Sequence, residues 1–311
     1  MNKNNLLVWL KDIRKTDIAS VGGKAANLGE LFSKFHIPNG FCITVKAFED
    51  FLRNNNIDNK IPSLTKNIDT NKQNKVDLIS NQIKNLITKT KISNELQESI
   101  LQNYKKINGF VAVRSSAVSE DLQEASFAGQ QATFLNVKEK DLIRYVKECW
   151  ASFYTTRAII YRERNKFNHE PKMAVAIQKM IDAKKSGVIF TVNPVNKNKN
   201  EMVIESVFGL GESIVSGIVT PDYYLIDKKN QRIIKQIINE KRLAIIRKNG
   251  KNQKIMLDIK KANEKTLNSK EISQLTKESL RIEKYYKKPM DIEWAIDDKV
   301  YILQARPVTT L

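Results

Sequence analysis

DIEWAIDDKVYILQARP, residues 291–307, reads as two short strands folded into a hairpin with one chemically loaded face. Each half alternates apolar and polar side chains, the period-2 signature of a half-buried strand. A two-residue loop at Asp298-Lys299, or a four-residue loop around it, sets Glu293 opposite Gln304 and Asp291 opposite Arg306. The same register turns Ile292, Trp294, Ile296, Tyr301, Leu303 and Ala305 to the other side, towards a core. A carboxylate and an amide carbonyl are hard oxygen ligands suited to Mg²⁺, and an arginine beside them can hold a phosphate in a fork. That is the layout of a metal–nucleotide phosphate site. A surface hairpin with an Asp291–Arg306 ion pair across its strands fits the same residues. On this segment alone the two readings stand level.

Two upstream segments carry phosphate-binding chemistry. VGGKAANLGEL (21–31) places Gly22, Gly23 and Lys24 at a helix start. Free N–H groups and the helix dipole favour an anion there, and the lysine adds a mobile charge. It is not a Walker A loop, since Ile18 stands where the first glycine belongs and Ala25 where Ser or Thr belongs. Taken alone, a plain turn explains Gly-Gly-Lys better than a site does. VAVRSSAVSEDLQEASFAGQQATFLNV (111–137) is more telling, because Arg114 ends an apolar strand, where a side chain emerges at a cleft edge. Ser115, Ser116, Ala125, Ser126, Ala128 and Gly129 are small enough to let backbone approach a ligand. Such a loop can fold over phosphates, with Gly129 as a flexible point and Thr133 as a hydroxyl donor. Ser119, Glu120 and Asp121 suit the cap and first turn of a short helix instead.

The 311 residues suffice for one bilobal domain or two smaller ones. Hydrophobic content of 41% and charged content of 28% belong to a soluble globular chain. No apolar run approaches the ~18 residues of a membrane helix, and the N-terminus is charged too soon for a signal peptide. A cytoplasmic protein is expected. Cys149 falls among Leu142, Tyr145, Val146 and Phe153 at helical spacing, and Cys42 lies in FCITV, so both read as core thiols. The net charge of +19 comes mostly from lysines scattered through Asn- and Ile-rich stretches, with no arginine-rich tract or basic stripe interleaved with aromatics. A solvated basic surface fits this better than a nucleic-acid partner, and its field would help gather an anion such as ATP.

Elsewhere, residues 53–75 lack periodicity and read as a loop. Ile79, Ile83 and Leu86 mark one helix; Leu96, Ile100 and Tyr104 mark another. A helix over 141–153 is expected to run on towards Arg164. AVAIQKM, GVIFTV and MVIESV read as strands, followed by the glycine-rich FGLGESIVSG. Asn268 and Glu271 form a capping pair for a helix that Pro289 ends. Helices and strands alternate without a strict βαβ rhythm, which predicts an α+β fold with antiparallel sheets.

GGKAANLGEL, VAVRSSAVSEDLQEASFAGQQATFLNV, AIQKM, SGVIFTVNP, FGLGESIVSG and MDIEWAIDDKVYILQARP follow one another in this order. Together they resemble the ATP-binding domain of the phosphoenolpyruvate synthase, pyruvate phosphate dikinase and rifampin phosphotransferase family, over essentially the whole chain. The resemblance implies an ATP-grasp fold, two α+β lobes (about 1–195 and 196–311) clamping Mg·ATP. It implies that Lys24 and Arg114 bind phosphates, that Gly129 and Thr133 lie in the loop closing over them, and that Gln178 faces adenine. Glu293 and Gln304 would hold Mg²⁺, and Arg306 would contact the transferring phosphates. Lys24, Arg114 and Arg306 would then be the catalytic cations.

In that family ATP is cleaved to AMP, and a pyrophosphoryl group passes to a histidine on a separate swivelling domain. The sequence to Leu311 contains neither that domain nor an acceptor domain. Its two histidines, His36 and His169, lie in SKFHIPNG and NKFNHEPK, which read as exposed loops without the setting of a phosphorylated histidine. The expectation is an ATP-binding kinase module served by a histidine domain in trans or missing from this chain. Two alternatives are a rifampin phosphotransferase module, whose acceptor is an antibiotic hydroxyl, and a nucleotide-binding regulatory subunit without turnover.

Overall fold

The computed structural model describes residues 5–66, 68–118, 132–165 and 172–308. The chain forms two compact units, Met1–Glu30 with Asn39–Met180, and Leu31–Pro38 with Ile181–Leu311. It passes from the first to the second at Met180–Ile181, ahead of the expected boundary near 195. The cause is the strand Lys185–Phe190, which is paired on both sides by strands of the second unit.

The first unit contains β1 (Leu7–Trp9), α1 (Ile18–Leu31), β2 (Gly40–Ile43), α2 (Val45–Asn54), α3 (Lys60–Thr65), α4 (Gln73–Lys89), α5 (Asn94–Ile107), β3 (Val111–Ala117), β4 (Thr133–Val137), α6 (Glu139–Ala151), α7 (Thr156–Arg164) and β5 (Met173–Lys179). Its sheet has the order β1-β2-β5-β3-β4, and every pairing is antiparallel. Phe41 and Ile43 of β2, Val111 and Val113 of β3, and Val175 and Ile177 of β5 build one apolar cluster with the helices. Phe48, Phe51 and Trp150 stack within it. Both cysteines are buried and free, as their spacing predicts.

Two helical expectations are corrected. Residues 53–75 are not simply a loop: α3 forms there on two buried residues, Ile61 and Thr65, too short a stretch for periodicity to register. The helix expected from 141 towards 164 is interrupted. It stops at Ala151, passes through a 3₁₀ turn at Ser152–Tyr154, and restarts as α7 behind Thr155, whose side chain accepts from the Ala158 N–H. A threonine hydroxyl satisfies an orphan N–H at a helix start, which favours a new N-terminus over continuation. Buried Arg162 secures the break by donating from Nη2 to the Phe153 carbonyl at 2.5 Å.

The second unit contains β6 (Lys185–Phe190), β7 (Glu201–Phe208), α8 (Glu212–Val215), β8 (Asp222–Asp227), β9 (Arg232–Ile237), β10 (Leu243–Lys248), β11 (Lys251–Met256), α9 (Ile259–Asn263), α10 (Ser269–Tyr286), β12 (Met290–Ile296) and β13 (Val300–Pro307). Its six-stranded sheet runs β13-β12-β6-β7-β8-β9, again antiparallel throughout, while β10 and β11 pair as a separate hairpin. Helix α10 starts with the expected capping box: Asn268 Oδ1 accepts from the Glu271 N–H, and Glu271 Oε2 from the Asn268 N–H. Lys185 Nζ grips both Glu271 oxygens at 2.7 and 2.8 Å, tying the start of α10 to β6. Against β6, a Cβ at Gly187 would stand 2.5 Å from the Trp294 ring, so glycine makes room for that indole.

The terminal hairpin keeps the expected register where it matters and departs from it at the tip. Asp291 faces Arg306, Ile292 faces Ala305 and Glu293 faces Gln304. The connection is one of three residues, Asp297–Lys299, between the paired Ile296 and Val300. A bulge between Glu293 and Trp294 absorbs the odd residue, so that Trp294 faces Ile302 and Leu303 is the extra one. Ile302 is therefore buried, and Tyr301 and Leu303, expected in the core, are half-buried.

Candidate functional site

In the first unit, β3 is the element that gathers the polar groups. Arg114 is paired with Ala176 on one side and Thr133 on the other. Ala112, two residues earlier, is paired with Gln178, which brings Gln178 diagonally beside Arg114. Arg114 Nη1 donates to Gln178 Oε1 at 3.3 Å. Gln178 Nε2 is buried without a hydrogen-bond partner among the described residues, a condition that costs free energy until an acceptor arrives.

Lys24 reaches the same strand from α1, donating from Nζ to the Ser115 carbonyl at 3.0 Å. Its route is fixed by Ser116, whose hydroxyl donates to the Val21 carbonyl at 2.8 Å and accepts from the Ala25 N–H at 3.1 Å. Gly22 breaks α1 at φ +73°, and a Cβ there would stand 2.1 Å from the Ser116 carbonyl oxygen. The Gly-Gly-Lys turn is thus locked onto β3. Lys24 and Arg114 are only 4% and 7% exposed, so their charges act in a poorly screened setting. From the sequence alone, Ser115 and Ser116 read only as small residues. Their linking roles depend on a contact with α1, far away in sequence, that no local pattern signals.

In the second unit, Arg306 Nε contacts Asp291 Oδ2 at 3.0 Å across the hairpin. Burial raises the Asp291 carboxyl above its ordinary range, and Arg306 offsets part of that rise. The cross-strand ion pair and the polar face of Glu293 and Gln304 are therefore both present, on adjacent pairs of one hairpin. Beside them Glu293 is half-buried and Gln304 is 6% exposed. One carboxylate and one amide carbonyl side by side fit a hard divalent cation. Among the described residues no three His, Cys, Asp or Glu side chains cluster to hold a metal. Such a donor set suits a cation that arrives with phosphate oxygens of its own.

Gly129 and His169 lie outside the described residues. His36 is exposed, and its carbonyl accepts from the Ile302 N–H at 3.0 Å. Among the described residues no helix is long and apolar enough to cross a membrane.

Buried cations at a glycine turn, and hard oxygen ligands beside an arginine, are the provisions of a nucleotide-binding α+β protein. Residues 18–311 match the family described as the pyruvate phosphate dikinase AMP/ATP-binding domain, and the chain belongs to that family. It is 45% identical to the probable phosphoenolpyruvate synthase of Archaeoglobus fulgidus, over 98% of this chain and 42% of that protein. It is 38% identical to the rifampicin phosphotransferase of Bacillus cereus, over 99% of this chain and 36% of that protein. The chain thus spans less than half the length of these relatives. Among solved structures, the D-alanine-D-alanine ligase of Helicobacter pylori is similar over 69% of this chain and 46% of its own, with 13% identity and a TM-score of 0.27. That likeness is too slight to carry an argument.

Proposed function

We propose that this chain is the ATP-grasp kinase module of a phosphoenolpyruvate synthase-like dikinase. It would cleave Mg·ATP to AMP with pyrophosphoryl transfer to a histidine on a separate domain or protein. The observation that supports this most is the polar face of the terminal hairpin, where Glu293 and Gln304 stand next to the Asp291–Arg306 pair. In this reading Lys24 and Arg114 hold phosphate oxygens, Thr133 and Gly129 belong to the loop over them, and Gln178 offers its unpaired amide to adenine. Glu293 and Gln304 hold Mg²⁺, which neutralises phosphate charge when bound, and Arg306 contacts the transferring phosphates. The protein's contribution is positioning and charge stabilisation. Asp291 holds the Arg306 guanidinium at Nε, which fixes the direction of that cation. Two buried free cysteines suit the cytoplasm as its location.

The 38% identity to a rifampicin phosphotransferase favours a second reading, in which the final acceptor is an antibiotic hydroxyl. Both are tested with ATP labelled separately at the β- and γ-phosphates, incubated with the chain and an extract of its source cells. The expected result is AMP, free phosphate from the γ position, and acid-labile β-label on a second protein. Formation of ADP without AMP would remove the dikinase reading. β-Phosphate passing onward to added rifampin would favour the second reading.

A further inference from the structure

The stretch from Lys228 to Lys265 runs through β9, β10, β11 and α9 and concentrates the charge of the chain. It contains thirteen Lys and Arg against three Asp and Glu, so it holds +10 of the net +19. Five of the thirteen sit in ion pairs, with Glu283, Asp222, Glu240, Asp182 and Glu264. The other eight, seven of them lysines, are exposed and have no ion pair among the described residues. At the tip of the β10–β11 hairpin, Lys248 and Lys251 face each other directly. Like charges so placed repel, and an external anion relieves the repulsion.

The same stretch presents apolar side chains to solvent. Ile234 is 54% exposed, Met256 72% and Ile259 79%. Lys254 and Met256 are alternate residues of β11 and so share a face of the hairpin. Ile259 and Lys260 follow at the start of α9. Asp258, the one acidic residue between Lys248 and Lys260, is engaged in capping α9.

This surface is held firmly to the fold. Asp222 and Lys241, both fully buried, pair at 2.6 Å and pin the chain leaving β9 to the sheet. Asp222 also accepts from the Asn239 and Thr266 N–H groups, at 3.1 and 2.7 Å. The Leu257 N–H donates to the Arg242 carbonyl and the Lys241 N–H to the Ala262 carbonyl, both at 2.9 Å. These bonds fold α9 back alongside the start of β10.

Nucleic acid, an acidic protein and an anionic bilayer all offer the matching charge. Residues 228–265 contain no Phe, Tyr or Trp to stack on bases, and a nucleic acid would leave the isoleucines and methionine uncovered. Protein interfaces favour aromatic side chains and the arginine fork over lysine, the reverse of this composition. Mobile point charges around protruding aliphatic tips suit a bilayer, where lysines meet headgroups and the tips sink among acyl chains. We propose that residues 228–265 form a face that docks this chain on an anionic lipid bilayer as a peripheral protein. Met256 and Ile259 enter the interface, and Lys248, Lys251, Lys254 and Lys260 meet the headgroups. None of these residues belongs to the proposed nucleotide site, so lipid and ATP binding can be measured apart.

The test is co-sedimentation with phosphatidylcholine vesicles containing about 30% phosphatidylserine, against vesicles of phosphatidylcholine alone. The chain should sediment with the anionic vesicles only, and raising salt from about 0.1 to 0.5 M should release most of it. Lys251→Glu combined with Lys254→Glu should weaken vesicle binding at least about tenfold. Met256→Ser combined with Ile259→Ser should also weaken it about tenfold. Both double variants should keep the parent's fold by circular dichroism and its ATP affinity. No sedimentation of the parent, equal sedimentation with uncharged vesicles, or parental binding by either double variant would overturn the proposal. Duplex DNA or poly-glutamate might compete as the true occupant: tighter binding to either than to the vesicles, unaffected by the serine substitutions, would likewise overturn it.

Discussion

Gly22 lies so close to Ser116 that a single methyl group would collide with backbone, since a Cβ built on Gly22 stands 2.1 Å from the Ser116 carbonyl oxygen. Gly22→Ala should therefore cost more than ~3 kcal/mol, combining strain at positive φ with a clash that only backbone movement relieves. Gly109 also has positive φ, at +117°, but nothing lies within 4 Å of its Cβ position. Gly109→Ala should cost only about 1–2 kcal/mol. Denaturant melts of the two variants separate conformational strain from the contact. Comparable losses would show that Ser116 does not confine the turn.

Lys24→Ala and Arg114→Ala should each weaken ATP binding tenfold to a hundredfold, about 1.4–2.7 kcal/mol. Adenosine affinity should change far less, because both cations are assigned to phosphate. Calorimetry with ATP, ADP, AMP and adenosine gives the comparison. Equal losses for ATP and adenosine would place these residues elsewhere.

Glu293→Ala should abolish the Mg²⁺-dependent part of ATP binding and leave the protein folded, since its neighbours Ile292 and Trp294 keep their buried positions. The expected loss is at least about a hundredfold in Mg·ATP affinity, or ~2.7 kcal/mol. ATP binding measured in excess chelator should not change. An unaltered Mg²⁺ dependence would reject Glu293 as a cation ligand.

Glu271 serves two purposes, closing the capping box of α10 and receiving Lys185 at 2.7 Å. Glu271→Ala should lower stability by about 2–3 kcal/mol, more than the ~1 kcal/mol expected for Asn268→Ala, which removes the cap alone. Urea unfolding of the two variants decides whether the lysine contact adds to the cap.

Burial raises the thiol pKa of both Cys42 and Cys149 above the ordinary value of 9.0. In the folded state they stay neutral where an unfolded chain would ionise. The stability tied to them is fully present below about pH 8.5 and declines as pH rises beyond that, by ~1.4 kcal/mol per thiol and pH unit. At pH 8 an alkylating reagent should label neither cysteine in the native protein and both in denaturant. Native labelling would contradict their burial. Replacing both by alanine should flatten the alkaline decline.

The hairpin face was legible because strand alternation has period two, and the register of Glu293 with Gln304 follows from it. Its tip was not, because a three-residue loop and a bulge cancel each other, and neither leaves a mark in the apolar pattern. The α+β class followed from the irregular order of helices and strands, and the Asn268–Glu271 cap from a short-range signal. β9 leaves no mark in the sequence because all its residues are exposed at a sheet edge, so nothing alternates. The Asn249-Gly250 turn between β10 and β11 is a hairpin signal that the sequence does carry. In the first unit the end of β3 was readable, whereas the anchoring of Lys24 through Ser115 and Ser116 was not. It joins residues more than ninety positions apart in the chain.

The extra residue Leu303 works as a spacer that separates loop length from the opposition of Glu293 and Gln304. A homologous hairpin with one residue more or fewer at its tip can preserve the pairing of glutamate with glutamine by losing or gaining such a spacer. The count of residues between the glutamate and the glutamine is therefore free to drift while their opposition is kept. Searches for distant members of this family should weight the facing pair and let the interval float.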